Sequence, residues 1–275
     1  MPEAPDLAVI VEFLNRRVAG QAIVEARVAR PLVLRSLATP DFEGDIVGKA
    51  FQGFSRRGKF LLAHLSGERL LVINPMLTGA LQHCDPGERV AKRTFILLTL
   101  SGGRQLRYLD ERQMGMVYYI TLGQLPQVPR LMEQGPDVLD EPLTFDEFSG
   151  RLRRYPGEIK GVMTRGKVVS GIGNAYADEI CFGAGLFPFR KRSSLSPDEL
   201  HHLHEAVYRV PKDAVPILRE RMGDAIHVKV RDFLKVHNKG GQPCPVCGHP
   251  LAEVTANQRI TTYCRHCQPG MLVKN

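Results

Sequence analysis

Apolar residues at Leu7, Ile10, Val11 and Leu14 follow the i, i+3, i+4, i+7 spacing of one helix face, so segment 7–18 predicts a helix lying on a core. The pattern then shortens. From about residue 20 to 122, short runs of branched and aromatic residues alternate with Gly, Asp and Ser turns, at 60–62, 70–73, 95–100 and 117–120. Such runs predict an antiparallel sheet or sandwich. Pro126, Pro129, Pro136 and Pro142 follow, placing a linker at 126–143 after an N-terminal domain at 1–125. Helical periodicity returns at roughly 145–154, 159–168, 175–184, 197–207 and 212–221, within a second domain at 144–236 that leads to a cysteine module at 237–275. The start at 197 is the clearest, because Ser196-Pro197-Asp198-Glu199 offers a capping serine, proline at the first helical position and glutamate at the third. His201, His202 and His204 lie on that helix and read as a solvated face, with a metal site as the alternative.

Composition adds a partner to this outline. The 275 residues are 43% hydrophobic and 24% charged, which excludes disordered and fibrous classes. Lysine plus arginine exceeds aspartate plus glutamate by 37 to 29. Residues 1–150 hold 17 basic and 18 acidic side chains, so the whole excess lies in the second half and points to a nucleic-acid-facing part. Glu3 and Asp6 stand where a cationic leader would need lysine or arginine. The longest apolar stretch, 70–81, is broken by Asn74 and Pro75, so the expectation is a cytoplasmic protein with no membrane partner.

Two motifs carry chemistry. Cys244-Pro245-Val246-Cys247 and Cys264-Arg265-His266-Cys267 are sixteen residues apart, the spacing of two knuckles that hold one structural zinc ion. Four thiolates fill the tetrahedron and leave no position for substrate. Segment 258–263 between the knuckles reads as a strand, and Arg259 at the hairpin tip is either a phosphate contact or an ordinary surface arginine. Cys84 and Cys181 stand alone and read as buried thiols. Gly171-Ile172-Gly173-Asn174 precedes a helix, where close backbone approach and unpaired N–H groups suit an anion, although a plain tight turn fits equally well.

A wider set of blocks follows in order: Met1-Pro2-Glu3-Ala4-Pro5-Asp6, Arg56-Arg57-Gly58-Lys59-Phe60, Leu77-Thr78-Gly79, Asp110-x-Arg112-x-x-Gly115, the run GIGNAYADE at 171–179 with 184–188, and the four-cysteine hairpin with Gln258-Arg259. Through them nearly the whole chain resembles the formamidopyrimidine-DNA glycosylase and endonuclease VIII family of base-excision repair enzymes. The resemblance implies an α+β protein: an N-terminal β-sandwich, a C-terminal helix-two-turns-helix domain and a zinc-finger hairpin, acting as a monomer on double-stranded DNA that carries damaged bases or abasic sites. It also implies that Pro2, freed of Met1, attacks C1′ of a flipped nucleotide, with β- and δ-elimination following through a Schiff base. Glu3 is then the general acid/base, and Lys59 binds and positions the phosphate beside the lesion. Lys160, Asn174 and Arg259 match phosphate contacts, and Leu77, Arg112 and Met114 match the residues that fill the gap left by the flipped base.

The chain also departs from the family pattern. Arg165-Gly166 stands where Asp-Gln is common, Asp6 replaces a glutamate, and Met114 replaces a wedge phenylalanine. Only about twenty residues join the helix ending near Arg221 to Cys244, too few for the loop that caps 8-oxoguanine in one branch. The expected lesions are therefore ring-opened purines, oxidised pyrimidines, abasic sites or bulkier adducts. The alternative from another class is a non-catalytic protein on the same fold that binds damaged or branched DNA.

Overall fold

The computed structural model describes residues 1–256 and 259–270, and these form two compact units. The first comprises 1–133 with 218–230, the second 134–217 with 231–275.

The first unit opens with helix α1 (Ala4–Arg17), which buries Leu7, Ile10, Phe13 and Leu14 as its periodicity predicts. Asn15 on this helix is bonded in both directions to the backbone of Phe54, at 2.7 and 2.8 Å, which fixes α1 against the sheet. One sheet has four antiparallel strands in the order β1 (Ile23–Val28), β7 (Thr94–Leu100), β8 (Gln105–Asp110), β6 (Gly79–Cys84). The other has five: β2 (Leu34–Ser36), β9 (Met116–Thr121), β5 (Arg69–Asn74), β4 (Phe60–Leu65), β3 (Phe51–Arg57), with only the β2–β9 pair parallel. A short helix α2 (Phe42–Ile46) connects β2 and β3. Residues of both sheets, Phe54 and Leu71 from one and Ile96 and Leu106 from the other, line a common interior space, so the expected sandwich is present. Strands β4 and β7 are buried along nearly their whole length, which explains why their sequences read as continuous apolar runs rather than alternation.

The second unit contains α3 (Phe145–Arg153), α4 (Ile159–Thr164), α5 (Asn174–Gly183) and most of α6 (Pro197–Met222), followed by the hairpin of β10 (Ala252–Ala256) and β11 (Arg259–Tyr263). Gln258, expected to start the second strand, lies outside the described residues. Thr144 and Glu147 cap α3 reciprocally, and Ser196 and Glu199 do the same for α6.

The two helices expected at 197–207 and 212–221 are one 26-residue helix that runs through Pro211 and Pro216. Each interior proline costs about 3 kcal/mol. The helix also buries Leu203, Ala206, Val207, Ala214, Leu218 and Met222, and about 1.5–3 kcal/mol for each large side chain outweighs two such losses. Two of its histidines pack on aromatic rings, His201 on Phe145 with centroids 3.6 Å apart and His204 on Phe148 with centroids 5.2 Å apart, His204 Nε2 lies 2.7 Å from the Leu143 carbonyl oxygen, and His202 is exposed. Cys84 and Cys181 are buried. Among the described residues, no helix is long and apolar enough to cross a membrane.

Candidate active site and zinc centre

In the first unit, Glu3 caps α1, and its backbone N–H donates to the Asp6 carboxylate at 2.8 Å. Pro2, Glu3 and Asp6 are all buried. Asp6, shorter than the glutamate expected there, still reaches the helix cap. Pro2 and Asp6 border a cavity open to solvent and lined largely by apolar groups, including Leu61, Ile73, Tyr108, Ile226 and Val228. Lys59 occupies the two-residue turn Gly58-Lys59 between β3 and β4, rather than a strand, and is half-buried. Gly58 adopts φ 57°, the left-handed conformation that such a tight hairpin demands.

Two loops of this unit carry the residues expected to enter DNA. Leu77 follows β5, and Arg112 and Met114 follow β8; all three side chains are exposed. Their loops are joined through Asp110, which is fully buried. The Thr78 hydroxyl donates to the Asp110 carboxylate and accepts from the Arg112 N–H at 2.8 Å, and the Gly115 N–H donates to Asp110 at 2.6 Å. Lys229 Nζ donates to the Leu77 carbonyl at 2.5 Å. One buried carboxylate thus holds three exposed side chains in a group. Gly115 is required because a Cβ there would lie 1.9 Å from the Tyr108 hydroxyl. Thr78 and Asp110 belong to motifs noted in the sequence, but their role as the clamp between loops was not read from it; a buried position for Asp110, two residues before an exposed arginine, was the available signal.

In the second unit, the fate of Lys160 differs from expectation. Its ammonium donates to Asp178 Oδ1 at 2.6 Å, the Ile260 carbonyl at 2.9 Å and the Thr261 hydroxyl at 2.8 Å, so all three N–H groups are used within the protein. The side chain is buried because α4 packs beside α5 and the finger hairpin. Lys160 thus ties α4 to α5 and to the finger hairpin within the protein. Asn174, at the start of α5, also donates to the Ile260 carbonyl, at 2.8 Å. The two side chains converge on the peptide next to Arg259, which is exposed on β11. Asp178 accepts in addition from His237 Nδ1 at 2.7 Å, and Glu179 accepts three backbone N–H groups, from Lys235, Val236 and His237, at 2.8–2.9 Å. The acidic pair in the GIGNAYADE run is thus a buried anchor for the segment that enters the finger.

The four cysteines meet as their spacing predicts, with all sulfurs within 4.8 Å of one another. Cys244 and Cys267 sulfurs are 3.8 Å apart, and those of Cys247 and Cys264 3.4 Å. Zinc–thiolate bonds of about 2.3 Å in a tetrahedron put sulfurs about 3.8 Å apart, so the residues fit one zinc ion. The Cys244 and Cys264 knuckles rest on Phe182, Val236 and Leu251. Gln268, fully buried, accepts from the Cys264 N–H at 2.9 Å and donates to the Leu186 carbonyl at 2.8 Å, a staple with no signature in the residue pattern.

Comparison with known proteins agrees with this architecture. Residues 1–117 match the formamidopyrimidine-DNA glycosylase N-terminal domain, 134–225 its H2TH domain, and 241–270 the zinc finger found in FPG and IleRS. The chain is 33% identical over 274 residues to a formamidopyrimidine-DNA glycosylase of Desulforamulus reducens, covering 98% of this chain and 99% of the relative. It is 34% identical over 277 residues to one of Symbiobacterium thermophilum, covering 98% and 90%. The fold is that of the Lactococcus lactis Fpg in complex with abasic-site DNA, with a TM-score of 0.88 at 24% identity over 98% of this chain and 100% of that one. The chain belongs to the formamidopyrimidine-DNA glycosylase family.

Proposed function

We propose that this protein is a base-excision DNA glycosylase that also cleaves the strand at abasic sites, with Pro2 as its nucleophile. The observation that carries this reading is the mounting of Pro2 and Glu3 at the capped start of α1, beside a largely apolar cavity in the same unit as the grouped Leu77, Arg112 and Met114. Once Met1 is removed, the Pro2 secondary amine bonds to C1′ as the C1′–N bond to the damaged base breaks, and the base leaves with a proton. The C1′–O4′ bond then breaks, with O4′ taking a proton from Glu3, and the ring-opened iminium acidifies C2′; loss of that proton expels the 3′ phosphate, and a second elimination expels the 5′ phosphate. Glu3 exchanges protons with the sugar through these steps. Leu77, Arg112 and Met114 fill the vacated place in the stack. Lys59, Asn174 and Arg259 hold phosphates, and zinc supplies the folding energy of the hairpin that carries Arg259.

The lesion reading rests on segment 222–229, whose Met222, Ile226 and Val228 line the cavity beside Pro2 in place of a long polar cap. Ring-opened purines, oxidised pyrimidines, abasic sites or bulkier adducts suit this lining, and 8-oxoguanine opposite cytosine is the poorer substrate. Excision of 8-oxoguanine as fast as the best of the others would contradict this choice.

The test of the activity is borohydride trapping on duplex DNA with an abasic site, using protein shown by mass spectrometry to begin at Pro2. A covalent adduct through the Pro2 nitrogen, located by mass spectrometry, is expected with the unaltered protein and is lost or greatly diminished with Pro2→Gly. No adduct from such protein, together with retained binding to the same duplex, would leave a damaged-DNA-binding protein without chemistry.

A further inference from the structure

The zinc knuckles hold a second group of metal-ligating atoms. Cys247 Sγ and one ring nitrogen each of His249 and His266 lie within 4.8 Å of one another. His249 follows the first knuckle by two residues and His266 sits inside the second, so closing the four-cysteine centre brings them together. Their rings face each other in parallel, with centroids 4.8 Å apart and planes 6° apart. Both histidines are exposed and Cys247 is half-exposed, whereas Cys244 and Cys264 are buried.

We propose that Cys247, His249 and His266 form a second, weaker site for a divalent transition metal, with the Cys247 thiolate bridging it to the structural zinc. A zinc-bound thiolate keeps lone pairs for another ion. Imidazole and thiolate together select zinc, cobalt or copper over magnesium or calcium. Two metal–nitrogen bonds of about 2.1 Å at a tetrahedral angle place the nitrogens about 3.4 Å apart, so the two exposed rings need to turn and close by up to about 1.4 Å. Exposure of the group leaves the remaining coordination positions to water. Arg265, next to His266 in the same knuckle, is a nearby positive charge and keeps this ion weaker than the first.

Metal content separates the two sites without any reference to enzyme activity. The full chain is dialysed against zinc and its metal counted, and cobalt(II) is then titrated into the protein that carries one zinc. The variants are His249→Phe and His266→Phe, which keep a ring at each position, with His202→Ala as a control that removes an exposed histidine elsewhere. The unaltered protein and the control should take up two equivalents and show thiolate-to-cobalt charge-transfer absorption; each phenylalanine variant should stop at one and lack the band. One equivalent in the unaltered protein, or a second equivalent that persists in both phenylalanine variants, overturns the proposal. Loss of both equivalents in a phenylalanine variant also overturns it, because the histidine would then belong to the structural centre.

Discussion

Replacing Lys160 with methionine keeps the side-chain length and removes the ammonium that meets Asp178, Ile260 and Thr261 at 2.6, 2.9 and 2.8 Å. Breaking a buried ion pair by removing one partner costs about 3–5 kcal/mol, so the second unit should lose stability on that scale. The effect on DNA binding is different in kind. A side chain that neutralises a phosphate adds about 0.9 to the slope of log affinity against log salt, or roughly 3.5-fold between about 50 and 200 mM. Lys160 has no N–H left to offer, so Lys160→Met should weaken binding equally at every salt concentration, by loosening the Ile260 peptide beside Arg259. Arg259→Ala should make the slope shallower by about 0.9, and the double variant should share that slope. Fluorescence anisotropy on a duplex with a stable abasic-site analogue measures all four proteins, with zinc content and circular dichroism confirming folded samples. If the methionine variant does not retain zinc, Lys160→Gln, which keeps two N–H donors, serves for the same slope. A fall of about 0.9 on removing Lys160 alone, or of about 1.8 in the double variant, would refute the internal role.

Gly115→Ala should destabilise the protein by several kcal/mol in urea unfolding, since its Cβ meets the Tyr108 hydroxyl at 1.9 Å; Tyr108→Phe should recover part of the loss, and strict additivity of the two would refute the clash. Burial works against ionisation of Asp45, but the Tyr119 hydroxyl and the Arg69 guanidinium hold its carboxyl below the usual range. Its contribution to stability is therefore present above the unfolded value near 3.9 and is lost as pH falls through the lower folded value. The stability difference between the unaltered protein and Asp45→Asn should be constant above about pH 5 and close in more acid solution, and a difference that widens there would contradict the assignment. Chelation of zinc should abolish protection of the amides of β10 and β11 in hydrogen exchange and weaken DNA binding while amides of β4 and β5 stay protected; unchanged binding by metal-free protein would remove the finger from the interface.

The elements most visible in the sequence were those whose burial follows a simple period. α1 shows the 3.6-residue stripe of Leu7, Ile10 and Leu14, and strands β4, β5, β7 and β9 show as apolar runs between turn residues. The cysteine centre was legible because two short spacings already fix a tetrahedron. α6 was misread as two helices, since Pro211 and Pro216 are strong local signals against a helix and the stripe that overrides them becomes visible only when its partners are in place. The internal partners of Lys160 were hidden for a related reason. A lysine in a basic region looks like a phosphate ligand until the carboxylate of Asp178, eighteen residues on, and a carbonyl one hundred residues on are seen at its tip. Asp110 and Gln268 act through backbone groups, and a sequence does not display which backbone groups need a partner.

The ties that hold Asn174 and Lys160 to the finger hairpin span 86, 100 and 101 residues of chain. At about 5–20 residues per second, a ribosome needs on the order of 5–20 seconds to deliver that length. During this interval α4 and α5 have emerged with Lys160 and Asp178, but the Ile260 carbonyl and the Thr261 hydroxyl that take up the other two Lys160 N–H groups have not. Lys160 and Asp178 stay in water until Cys264 and Cys267 arrive and the hairpin closes on them. The strand pairs of β3–β4 and β4–β5, joined by short turns, have no such wait. Full burial of the Lys160–Asp178 pair therefore waits for the hairpin, whose folding energy the zinc centre supplies.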